Sequence, residues 1–291
     1  MTFGLGYWTF IIKNPCVLRA LRGIKNGQPE CVFTVWLLQV YQQVERKFMY
    51  IYGKRPVYEL LRSEHPVQHV YLAREMQQKD RVRYQNQAAG KGVRLTLLPK
   101  AQLQQYCGPV VHQGIVAEIP EYKYIDDISL FKRIDASENP LILVLDQIQD
   151  THNLGAIIRT AEICGVTALI IPEKTSAEIN PTVMKTSAGA VFHTHIHRTE
   201  DINVTLDALK EKELSFAALM PGERDNIYLT KLDVPLVLLV GSEGAGLRKN
   251  LLTYCDLHLS IPQFGKLDSL NASVSTAVVL FEITRQRRFI P

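Results

Sequence analysis

Three short stretches carry residue types that a protein interior has little use for: HNLGAIIRT (152–160), GSEGAGL (241–247) and SLNASV (269–274). In the first, Gly155 and Arg159 are four apart and share a helix face. Helical side chains lean toward the N-terminus, so the Arg159 guanidinium is expected over a residue with no side chain. With Asn153 near the N-cap and free backbone N–H groups beside it, this is a bare, positively charged platform suited to a phosphate. A capped helix whose arginine makes a surface ion pair fits the stretch as well. In the second, small residues let the backbone approach a flat ligand, and Glu243 adds a carboxylate that can accept hydrogen bonds from a substrate or orient Arg159. A plain structural turn explains the same glycines. In the third, Ser269 and Asn271 stand at the head of the last long helix, where capping and chemistry are both open.

The elements that must position these stretches are strands of continuous apolar residues: LILVLD, ALIIP, FAALM, LVLLVG and LHLSIP, most of them separated by helical segments. Strands buried on both faces read this way, so the fold class is α/β with a parallel sheet. Ligands in such sheets sit beyond the carboxyl ends of the strands, and each of the three stretches follows one of these runs. The glycines of GSEGAGL run G-x-x-G-x-G after a late strand, while the first strand is followed by QIQDTHN, which has none. That order disfavours a nucleotide-binding oxidoreductase, which needs a glycine loop after its first strand and an acid about twenty residues on. HTHIH alternates along an expected strand, aiming His193, His195 and His197 the same way, but no fourth ligand follows at metal spacing, so no metal is expected. Patterns of the HExxH, GxSxG and P-loop kinds are missing from the sequence.

Upstream the chain has another character. The 291 residues suit two domains, and 46% hydrophobic with 21% charged residues is an ordinary soluble composition with no membrane anchor expected. Cys16, Cys31, Cys107, Cys164 and Cys255 are scattered and odd in number, which argues for a reducing cytosol, hence a cytoplasmic location, and against zinc or a disulfide framework. CVFTVWLLQVY (31–41) is shorter than the ~20 residues a bilayer-spanning helix needs, and residues 1–48 read as a poorly ordered leader of unknown status. Folded sequence is expected from Met49. Residues 49–121 alternate short strands and helices, with ten Lys and Arg against four acids between Met49 and Lys100, an RNA footprint or a solvated basic face. Lys54, Arg55 and Arg62 gather around the start of the YGKRPVYELL helix and are the first candidates to bind RNA. Residues 122–139 are polar, end before a proline and read as a linker to a second domain, 140–291.

Taken together, HNLGAIIR, LLVGSEGAGL and IPQFGKLDSLNASVSTAVVLFE resemble the three motifs of the SpoU (TrmH) family of RNA ribose 2′-O-methyltransferases, in the SPOUT superfamily. YGKRPVYELLRS and VHQGIVAEIP resemble the two ends of the L30e-like RNA-binding domain found in the RlmB-like, ribosomal RNA branch of that family. The resemblance covers about residues 49–288. It implies a SPOUT domain with a deep trefoil knot, a homodimer with sites near the subunit interface, and S-adenosyl-L-methionine held around Gly241, Gly244, Ile261, Leu270 and Ala272. Carried over by motif, the active-site set is Asn153, Arg159, Glu243, Ser269 and Asn271, and the implied substrate is a guanosine of large-subunit ribosomal RNA. Lys266 and Asp268 depart mildly from the family pattern. A transfer RNA methyltransferase and a catalytically silent RNA-binding assembly factor on the same fold are the competing functions.

Overall fold

A computed structural model describes residues 48–289 apart from 223, 224 and 268. The described residues belong to one compact unit, Phe48–Pro291, and the first 47 residues of the expected leader lie outside them. Among the described residues no helix is long and apolar enough to cross a membrane.

The chain first builds a small sheet. Its elements are β1 (Met49–Tyr52), α1 (Lys54–Arg62), β2 (His69–Ala73), α2 (Gln78–Gly90), β3 (Arg94–Leu98), a 3₁₀ turn (Lys100–Leu103) running into α3 (Gln104–Cys107), and β4 (Ile115–Ile119). Strand order is β1-β4-β2-β3, with β4 antiparallel to both neighbours and β2 parallel to β3. Alternate residues such as Ile51, Val70, Leu72 and Ala117 are buried with Val57, Leu60 and Leu61 of α1, because successive strand side chains point to opposite faces.

The segment expected to be a linker holds a nine-residue helix, α4 (Asp127–Asp135). Asp126 caps it, accepting from the Ser129 N–H at 2.8 Å, and Leu130 and Ile134, one turn apart, are buried. Two apolar positions suffice for a short helix seated on a sheet, too few to stand out as a period in the sequence.

The large sheet comprises β5 (Leu141–Leu145), β6 (Ala168–Pro172), β7 (Ile196–Thr199), β8 (Ser215–Leu219), β9 (Asp225–Asn226), β10 (Leu236–Val240) and β11 (Leu257–Ser260). Its order is β7-β6-β5-β10-β8-β11-β9 and every pairing is parallel. Between the strands run α5 (Thr151–Ile163), α6 (Pro181–Thr186), α7 (Ile202–Lys210) and α8 (Lys249–Leu252), and α9 (Ala272–Phe289) closes the chain. Leu141, Leu143 and Leu145 of β5 pack on the side of α5 and α9, while Ile142 and Val144 pack on the side of α4 and α7. Both faces are covered, which is why the strands read as unbroken apolar runs. β10 fills the gap between β5 and β8, so the order switches there; the carboxyl ends of β8, β10 and β11 line one crevice, and that of β5 lies across the loop after β10. This strand order is consistent with the trefoil knot that the resemblance implies.

The two sheets are fastened together. His65 stacks on Tyr122 at 5.4 Å and meets Phe192 edge-on at 5.3 Å, Tyr122 donates its O–H to the Val191 carbonyl at 3.3 Å, and Lys185 Nζ donates to the Val111 carbonyl at 3.1 Å. HTHIH is not the alternating strand expected. His193 ends a 3₁₀ turn, β7 begins only at Ile196, and the rings diverge: His193 Nε2 lies 3.3 Å from Glu59, while His197 is buried against the Ile125 carbonyl and Asp127. Among the described residues no group of three His, Cys, Asp or Glu is placed to hold a metal ion.

Candidate active site

Asp150 caps α5, accepting from the His152 N–H at 2.9 Å, so Asn153 lies inside the first turn and its side chain is free for other contacts. It faces the loop after β10. Asn153 Nδ2 donates to Glu243 Oε1 at 2.7 Å, Asn271 Nδ2 donates to the same oxygen and to Asn153 Oδ1 at 3.0 Å, and the Ala272 N–H reaches Glu243 Oε1 at 3.3 Å. Asn271 is also the N-cap of α9, its Oδ1 accepting from the Ser273 N–H at 2.9 Å and the Val274 N–H at 3.3 Å. One amide therefore caps a helix with its oxygen and ties two other segments together with its nitrogen. The three sequence stretches meet at the carboxylate of Glu243.

The loop carrying Glu243 is tightly folded. A Cβ on Gly241 would come within 2.2 Å of the Gly246 carbonyl carbon, so only glycine lets the loop return on itself; the Gly246 N–H closes it onto the Ser242 carbonyl at 2.9 Å. Its far end is anchored by a pair that sequence reading missed. Asp146, fully buried at the end of β5, accepts from Arg248 Nε at 2.9 and 3.1 Å and from its backbone N–H at 3.2 Å, and Arg248 NH2 completes the ion pair at 2.7 Å. A carboxylate ending an all-apolar strand has to find a cation, which was the available signal.

Beside the loop is a cleft of about 330 Å³. It is lined by Gly241, Gly244, Ile261, Leu270 and Ala272, the residues that the resemblance put at the cofactor, together with Ser269. Leu219, Met220 and Pro221, at the end of β8, line it too and were not foreseen. Apolar walls and a loop of exposed backbone fit the adenosine of S-adenosyl-L-methionine, and the volume is in the range of small-molecule sites, roughly 300–1,000 Å³.

Arg159 stands apart. Six positions after Asn153 it points about 120° away around the helix, so Glu243 does not orient it as expected. It is exposed, and among the described residues it makes no hydrogen bond or ion pair. Nor does Gly155 serve as its platform: a Cβ there would lie 2.7 Å from Thr186 Cβ, so the glycine lets α6 pack close against α5. Arg159 instead lines a separate cleft of about 450 Å³ with Arg55, Arg62 and His193. Lys54, Arg55 and Arg62 are not free cations. Lys54 Nζ is 2.5 Å from Asp80, whose carboxyl it holds below the usual range, and Glu59 holds Arg55 at 3.0 Å and Arg62 at 3.7 Å. Asp268 lies outside the described residues.

Residues 140–281 match the SpoU rRNA Methylase family, and residues 50–125 match the family described as RNA 2′-O ribose methyltransferase substrate binding. The chain is 34% identical over 239 residues to the 23S rRNA (guanosine-2′-O-)-methyltransferase RlmB of Haemophilus influenzae, covering 81% of this chain and 97% of the relative. It is 36% identical over 243 residues to an uncharacterized tRNA/rRNA methyltransferase of Mycolicibacterium smegmatis, covering 82% and 76%. Among solved structures it resembles an RNA 2′-O ribose methyltransferase (25% identity, TM-score 0.66, 84% and 91% covered). It shares its fold with the methyltransferase AviRb of Streptomyces viridochromogenes, crystallised with AdoMet (23% identity, TM-score 0.69, 82% and 90% covered). The chain belongs to the SpoU family. As a member it is an RNA ribose 2′-O-methyltransferase that uses S-adenosyl-L-methionine.

Proposed function

We propose that this chain methylates the 2′-OH of a guanosine in large-subunit ribosomal RNA. The observation that carries the reading is the meeting of Asn153, Glu243 and Asn271 beside the cofactor cleft. A protein that only bound RNA would have no use for a carboxylate held by two amides next to a small-molecule cleft. The ribosomal substrate is supported by the Haemophilus influenzae relative, whose name specifies guanosine of 23S rRNA, and by the substrate-binding match over residues 50–125.

Bound S-adenosyl-L-methionine supplies a methyl group already activated on sulfur, so positioning of the acceptor contributes much of the acceleration. Gly241, Gly244, Ile261, Leu270 and Ala272 hold it. Asn153 and Asn271 fix Glu243 through Oε1, which leaves Oε2 to accept a hydrogen bond from the ribose hydroxyl, and Ser269 helps hold that hydroxyl in line. A guanidinium keeps its proton at neutral pH and is a poor base. The role of Arg159 is to bind the adjacent phosphate and polarise the hydroxyl, and the proton leaves late, to phosphate or water. The chain works in the cytoplasm as a homodimer with its sites near the subunit interface, an arrangement in which an arginine outside its own chain's network can serve bound RNA. Residues 49–121 are the RNA-binding domain, with Lys54, Arg55 and Arg62 facing RNA, and 140–291 the methyltransferase domain.

Mapping 2′-O-methylation in cells that lack this chain tests the assignment. One guanosine of large-subunit ribosomal RNA is expected to lose its methyl group. A loss confined to transfer RNA would transfer the substrate to the competing reading.

A further inference from the structure

We infer that a second cleft, on the other side of the cofactor loop, seats the base of the acceptor nucleotide, and that the Gln147 side chain reads its edge. The inference rests on the methyl-transfer reading above. This cleft measures about 400 Å³ and is lined by Gln147, Gln149, Asp150 and Asn153 from the connection between β5 and α5 and by the cofactor loop opposite. Ser242, Glu243, Gly244, Ala245 and Ala272 line both clefts, so the two lie back to back across one loop. An in-line transfer requires acceptor and donor to meet at a single point. A nucleoside turned out of its strand into the second cleft brings its ribose to the shared wall, where Glu243 stands.

The backbone singles out Gln147. It has φ 60°, and the other non-glycine residues in the left-handed region among the described residues are Gln113 and Ala188. Gln113 has a task in the fold, its Oε1 accepting from the Lys54 N–H at 2.8 Å where α1 begins. Among the described residues the Gln147 amide has only a 3.4 Å contact to Asp146 Oδ2, an oxygen that Arg248 already occupies. Glycine would make this turn with less strain, yet the position carries a long side chain that the fold does not use, at the mouth of a nucleoside-sized cleft. Strain kept at such a place points to function. A carboxamide offers a donor and an acceptor side by side, which complements a base edge presenting the same pair, as guanine does with N1–H and O6. Asp150 is occupied by the cap of α5, and of the two glutamines that line the cleft, Gln147 and Gln149, Gln147 is the one held in the left-handed region.

The test uses the full chain, labelled S-adenosyl-L-methionine and large-subunit ribosomal RNA, with Gln147→Gly and Gln147→Ala compared with the wild type. Gln147→Gly is expected to melt at or above the wild-type temperature and to bind cofactor within twofold. Its KM for RNA should nevertheless rise roughly tenfold or more, the discrimination that one bidentate base contact gives, and nucleoside analysis should find methyl groups spread beyond guanosine. If both variants keep KM and product nucleoside within twofold of a working wild type, the inference is overturned and the transferase reading stands. Loss of cofactor affinity in both variants would also overturn it, making Gln147 a prop for the loop. A wild type that methylates no RNA would overturn the transferase reading, and this inference with it.

Discussion

Asn153, Glu243 and Asn271 come from segments that are 90 and 118 residues apart along the chain, and they meet within hydrogen-bonding distance. Lys54, Arg55 and Arg62 come from a single helix, and each is matched by an acid, Asp80 or Glu59. The first group was selected because its residue types have no task in a core, the second because basic residues outnumber acids locally. Polar residue types that a core has no use for converge in space here, whereas locally abundant charges are already paired. A charge count does not reveal which cations folding has already paired.

The largest expected effect belongs to Glu243→Ala. Turnover is expected to fall about 10²-fold or more, the scale of misplacing a reacting group by an ångström. Stability should move by only about 1 kcal/mol, the scale of exposed hydrogen bonds lost from Asn153 and Asn271. Steady-state kinetics beside a urea titration read both. A full-rate variant would reduce the network to a loop brace. Next in size is the salt dependence of RNA binding. Each phosphate released from a single strand is worth about 0.7 in the slope of log affinity against log salt. Arg159→Ala should flatten the slope by about that amount, whereas replacing Lys54, Arg55 and Arg62 together should flatten it by less than about 2, since their acids compete with RNA. A flattening by the full amount for three phosphates would show that RNA displaces Asp80 and Glu59.

The smallest expected effect concerns the fastening between the sheets. Burial pushes the His65 imidazole below its usual pKa, and Lys91, His193 and His195 nearby add to this. The unfolded chain then binds the proton more readily than the folded one. The neutral form's contribution is complete above the unfolded pKa near 6.5 and is lost as pH falls below it toward the folded value. Melting temperatures of the wild type should therefore drop between about pH 7 and pH 5, and those of His65→Phe should drop less. Parallel curves would remove His65 from the acid response.

Much of the large sheet was legible, because β5, β6 and β10 are buried on both faces and such strands announce themselves as apolar runs. α4 was not, since it buries Leu130 and Ile134 within an otherwise polar segment. The network at Glu243 was legible in its members but not in its wiring. Spacing along α5 put Gly155 and Arg159 on one face, but that Glu243 would meet Asn153 and not Arg159 depended on where β10 enters the sheet. Gly155 misled for a related reason: a missing side chain marks a close neighbour, and only the fold shows whether that neighbour is a ligand or Thr186. HTHIH alternated in sequence without being a strand at its first half, so its rings had no common face.

His65, Tyr122, Lys185 and the contact between His193 and Glu59 lock the small sheet onto the large one. The separation between α1 and the cofactor cleft is thereby a constant of the molecule, and the small sheet acts as a gauge. An RNA gripped at α1, as proposed above, would present to the cleft only those nucleotides that lie one fixed span along its path, so part of the choice of target would be made by length before any base is read.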